Sequence, residues 1–79
     1  MGSSENHLDD EIRRRLRQAR LDAGLRQVEL AMRLGEPQSF VSKYENRERR
    51  LTFAEVRRIC RALDIDFLQF VRELESGLE

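Results

Sequence analysis

The sequence predicts an all-α domain of five short helices, and three observations carry that prediction. Apolar residues recur at three- and four-residue spacing, with no sustained alternation of period two that would mark a strand. Helix stop and start signals follow one another closely: Gly24, Gly35, Pro37, then capping sequences at Thr52 and Asp66. A length of 79 residues is enough for one domain and one core. No apolar run approaches the roughly 18 residues of a membrane span, so no membrane association is expected.

Residues 1–8 read as a flexible lead, lacking an apolar anchor and the hydrophobic stretch of a secretory signal. Residues 9–75 form the domain, and residues 76–79 read as a frayed tail. The first helix runs from about Asp9 to Ala23, with Ile12, Leu16 and Ala19 on one face and Gly24 as a left-handed stop. Asp9, Asp10 and Glu11 fall in its first turn, where negative charge suits the helix dipole. The second spans Gln27 to Leu34, turns Leu30, Ala31 and Leu34 inward, and ends at Gly35. Pro37 suits the first position of a third helix running to about Asn46, with Val41 and Tyr44 inward. Thr52-Phe-Ala-Glu55 fits a capping box opening the fourth helix, with Leu51 and Val56 as its hydrophobic staple. Phe53, Val56, Ile59, Cys60 and Leu63 form its stripe. The fifth opens with a similar device, Asp66 and Gln69 as the box and Ile65 and Phe70 as the staple.

Chemistry of the catalytic kind is poorly supplied. The single Cys60 excludes an intrachain disulfide and a multi-cysteine zinc site. It sits in an apolar stripe with no nearby His, which describes a buried structural thiol. His7 falls in the lead and reads as inert. There is no Gly-rich phosphate cradle, no paired-carboxylate constellation and no nucleophile–base spacing. No enzyme, metal or cofactor is expected.

The zero net charge hides a segregation. Residues 12–61 carry a surplus of +8, whereas residues 1–11 and 62–79 each carry −4. A central basic block is what a phosphate-binding surface requires, though it also describes a solvated helical face. The second and third helices are each about two turns long and are joined only by Gly35-Glu36-Pro37. So short a link makes them cross steeply, leaving the start of the third free to enter a major groove. Gln38, Ser39, Ser42 and Lys43 share the face opposite Val41 and Tyr44. Gln can bond an adenine edge bidentately, and Lys suits guanine or a phosphate.

The stretch from Leu25 to Glu45 closely resembles the phage-repressor/Cro-type (XRE) helix-turn-helix family. The residues that carry the resemblance are Gln27, Leu30-Ala31, Leu34-Gly35, Gln38-Ser39, Val41, Ser42 and Glu45. Arg20 upstream and Arg49-Arg50-Leu51 downstream fit as well, so that it covers about Ile12 to Glu75. The resemblance implies a repressor-like five-helix domain, a sequence-specific transcriptional regulator that binds double-stranded DNA and is cytoplasmic, bacterial or phage-encoded, and nucleoid-associated. It implies base contacts from Gln38, Ser39, Ser42 and Lys43, and backbone contacts from Gln27, Asn46, Arg47, Arg49 and Arg50. It further implies an internal ion pair between Arg20 and Glu45.

Several residues depart from the family pattern. Arg26 stands where a Ser or Thr cap is usual, which weakens the start of the second helix. Glu36 places a charge in the turn. Arg47 replaces the usual Gly, so either Asn46 or Arg47 must take a left-handed conformation. Phe40 either packs on a thymine methyl or covers the seam between the third and fourth helices. The cluster Arg13-Arg14-Arg15 with Arg17 either contacts phosphate or is a solvated face neutralised by Glu11 and nearby acids. In the fifth helix, Phe67, Leu68, Phe70, Val71 and Leu74 span an apolar arc of about 160°. That width suggests a homodimer interface on a twofold operator. An alternative use of the same fold is a protein-interaction module, antitoxin-like or adaptor-like, whose partner the sequence does not identify.

Overall fold

The first helix begins earlier than its apolar stripe. In the computed structural model, which describes residues 3–77, α1 spans Ser3–Asp22, starting six residues before the expected Asp9. Met1, Gly2, Leu78 and Glu79, the outermost residues of the expected lead and tail, lie outside the described residues. Ion pairs follow one another along α1: Asp10 binds Arg13, and Glu11 binds both Arg14 and Arg15 at 2.6 Å. These pairs also supply the neutralisation expected for the arginine cluster. Arg14 and Arg15 hold the Glu11 carboxyl below its ordinary range.

Four shorter helices follow: α2 (Gln27–Leu34), α3 (Gln38–Glu45), α4 (Phe53–Ala62) and α5 (Phe67–Gly77). Among the described residues there is no strand, and no helix is long and apolar enough to cross a membrane. Gly24 and Gly35 take left-handed φ values of 73° and 68°, ending α1 and α2 as expected. Pro37 differs from its expected place. Its ψ of 156° keeps it outside α3 as the N-cap, and the helix begins at Gln38.

The capping box of α4 is complete. Thr52 Oγ1 accepts from Glu55 N at 3.1 Å, and Glu55 Oε1 accepts from Thr52 N at 2.9 Å. The box at α5 is only half formed. Asp66 Oδ1 accepts from Leu68 N and Gln69 N, but the Gln69 side chain donates instead to Glu73. At α2, Arg26 has no acceptor to offer. Only Glu29 contributes, accepting from Arg26 N at 2.8 Å.

One core joins all five helices. Leu16, Leu30, Val41, Tyr44, Ile59 and Cys60 are fully enclosed at its centre. Phe40 is buried too, edge-on to Tyr44 with ring centroids 5.7 Å apart, so its ring belongs to the core. Burial pushes the Cys60 thiol up to about 11, which keeps it protonated and unreactive at neutral pH. Phe70 and Leu74 also belong to this core, at 5% and 7% exposure. Little of their surface is left over for the dimer interface expected of them.

Candidate nucleic-acid interface

The outer side of α3 follows from what its inner side buries. With Phe40, Val41 and Tyr44 in the core, Gln38, Ser39 and Lys43 are left exposed and Ser42 half-buried between them. This is the row expected from spacing. Asn46 follows as the C-cap, its amide donating weakly to Ser42 Oγ at 3.4 Å.

Behind that row runs a chain of hydrogen bonds. Arg20 grips Glu45 through two nitrogens, at 2.8 and 2.9 Å, and its third nitrogen donates to Leu25 O at 2.7 Å. The pair joins α1 to the end of α3 in near-complete burial, with the Glu45 side chain 2% exposed. The fork raises the Arg20 pKa despite the opposing effect of burial. Gln27 Nε2 donates to Glu45 Oε1 at 2.9 Å, and Gln27 Oε1 accepts from Gln38 Nε2 at 3.3 Å. This order fixes the Gln27 amide and orients Gln38. The oxygen and second N–H of Gln38 are left unused by this chain, the donor–acceptor set that an adenine edge pairs with. Arg17 lies 3.9 Å from Glu45 as well, a contact the sequence did not suggest.

The segment after α3 supplies positive charge. Arg47 takes the left-handed conformation at φ 68°, while Asn46 stays at φ −93°, which settles the choice between them. Arg47, Arg49 and Arg50 are all exposed. Arg49 lies over the Phe40 ring, 4.8 Å from its centroid, and binds Glu55 through two nitrogens at 2.8 and 2.9 Å. Arg49 and the Thr52 N–H together hold the Glu55 carboxyl at about 2. Arg50 binds Asp9 at 2.9 Å and Arg47 binds Asp10 at 3.3 Å. The sequence does not mark either acid as a partner of these arginines. The acidic segment before a basic block was the only signal, and the pairings span 41 and 37 residues of chain. Glu36 in the turn is answered by Arg58 at 3.5 Å, and the same arginine donates to Leu34 O at the end of α2.

The fifth helix divides its apolar arc. Phe70 and Leu74 point into the core, Phe67 and Val71 are half-buried, and Leu68 is 68% exposed. Phe67 packs edge-on to Phe53 with centroids 5.1 Å apart, and Phe53 is itself 73% exposed. Together with Leu8, Ile12 and Leu51 they line an apolar groove of about 280 Å³ between α1, α4 and α5.

Known proteins share this arrangement. A family described as helix-turn-helix matches residues 16–70. An XRE-family like protein from Pseudomonas syringae pv. tomato str. DC3000 is 39% identical, with complete coverage of both chains and a TM-score of 0.91. The wild-type restriction-modification controller protein C.Esp1396I is 22% identical over 90% of this chain and 91% of its own, with a TM-score of 0.81. No curated protein matches the sequence.

Proposed function

The chain belongs to the XRE-type helix-turn-helix family of DNA-binding transcription regulators, and from that premise we propose that it reads a specific operator with α3 in the major groove. The observation that carries this reading is the outer row of α3. Small or uncharged polar side chains face solvent there, backed by a hydrogen-bond chain that orients Gln38. Gln38, Ser39, Ser42 and Lys43 contact base edges. Gln27, Asn46, Arg47, Arg49 and Arg50 hold the flanking phosphates, which sets register without reading sequence.

The protein acts as a homodimer on an inverted repeat. Phe53, Phe67, Leu68 and Val71 support that reading, because they leave apolar surface that one molecule does not cover. Two α3 helices would then sit about 34 Å apart along one face of the duplex.

Selection of genomic fragments by the purified protein at about 150 mM salt, followed by sequencing, tests the assignment, since much purely electrostatic binding is suppressed there. An enriched inverted repeat is expected. The Gln38→Ala/Ser42→Ala variant should keep its helicity and lose that enrichment, with each lost bidentate contact costing about 1–3 kcal/mol. Unchanged binding by the variant would remove α3 as the reader. No enrichment by the folded wild type would favour the protein-interaction module.

A further inference from the structure

Each of the arginines at 47, 49 and 50 is paired with a carboxylate of the same chain. The pairs differ in kind. The Arg49–Glu55 pair is local, two-pronged and stacked on Phe40, with the Arg49 side chain 39% exposed. The Arg47–Asp10 and Arg50–Asp9 pairs reach back to α1, and their arginines stay 71% and 70% exposed. Exposed ion pairs are weak, so a phosphate can displace these carboxylates.

We propose that Asp9 and Asp10 form an autoinhibitory contact, occupying in the free protein the guanidinium groups of Arg50 and Arg47 that take DNA phosphates. The inference rests on the DNA-reading function proposed above. Asp10 is built for the exchange: it also binds Arg13, whose side chain is only 14% exposed, so releasing Arg47 still leaves Asp10 paired. Asp9 is 34% exposed and turns to water when Arg50 leaves. A small cavity of about 20 Å³, lined by Asp9, Arg13, Tyr44, Arg49 and Arg50, lies beneath the contact. The arrangement has a thermodynamic signature. A guanidinium that exchanges a carboxylate for a phosphate frees an anion that must be solvated again. Binding therefore yields less net release of counterions than a free arginine would give.

The test measures binding of a mixed-sequence duplex of about two helical turns, by fluorescence anisotropy, across roughly 50–200 mM salt. The Asp9→Asn/Asp10→Asn variant should bind roughly three- to tenfold tighter at low salt. Its plot of log affinity against log salt should steepen by about one to two. In an Arg47→Gln/Arg50→Gln background the same Asp substitutions should give no gain. Equal affinity of the variant and a DNA-binding wild type would overturn the contact while leaving DNA reading intact. A gain that persisted undiminished without the two arginines would also overturn it, showing that the acids act only through general charge. Failure of both wild type and variant to bind at low salt would remove the DNA reading itself, and this inference with it. Circular dichroism of each variant fixes that the fold is unchanged.

Discussion

Arg47 shows how one side chain can serve the surface at the expense of the fold. An L-residue in the left-handed region costs roughly 1–2 kcal/mol, and Arg47 sits there at φ 68°. Arg47→Gly should therefore raise the stability of the protein by about 0.5–1 kcal/mol in chemical denaturation, after the extra chain entropy of glycine is counted. The same change should weaken DNA binding by removing the phosphate contact proposed for Arg47. Glu55 gives a second test at this scale. Its folded carboxyl lies near 2 against an ordinary 4.5, so it contributes stability that is complete above about 4.5 and fades as pH falls toward 2. Glu55→Gln should flatten that acid limb when the thermal midpoint is followed over the same range. Much of the site was legible at this scale, because exposed polar positions on a helix with a buried inner face follow from spacing alone. The orientation of Gln38 was not, since it depends on Gln27, Glu45 and Arg20, three side chains that meet only once the helices pack.

Among the elements, boundaries fixed by capping chemistry were the readable ones. The span Gln27–Leu34 and the Thr52 box follow directly from glycine and capping residues. The start of α1 differs from the expected one because no apolar stripe marks the turns before Asp9. The left-handed Asp64, φ 59°, was also missed, for no glycine marks the end of α4. The α2 start remains half capped, and this predicts a gain. Arg26→Ser should add about 1 kcal/mol of stability by supplying the missing acceptor. A denaturation midpoint unchanged from wild type would mean that the Glu29 side chain already satisfies that turn.

Across the whole molecule, periodicity could not divide the apolar arc of α5 between its own core and a partner. An amphipathic pattern states only that a face is covered, and Phe70 and Leu74 are covered from within. Interface variants should therefore be placed at Phe53 and Leu68, the exposed members. If the wild type is the proposed dimer, Phe53→Glu/Leu68→Glu should run as a folded monomer in light scattering. A wild type already monomeric at high concentration would end that reading. The capping box of α4 ties these surfaces together. Glu55 is at once the reciprocal cap of α4 and the counter-ion of Arg49, and α4 begins at Phe53, a member of the exposed apolar surface. If a phosphate draws Arg49 away, the turn bearing Phe53 keeps its cap but loses the charge that neutralised it. Linkage then acts in both directions: whatever DNA does to the dimer equilibrium through that turn, dimerisation does by the same factor to DNA affinity.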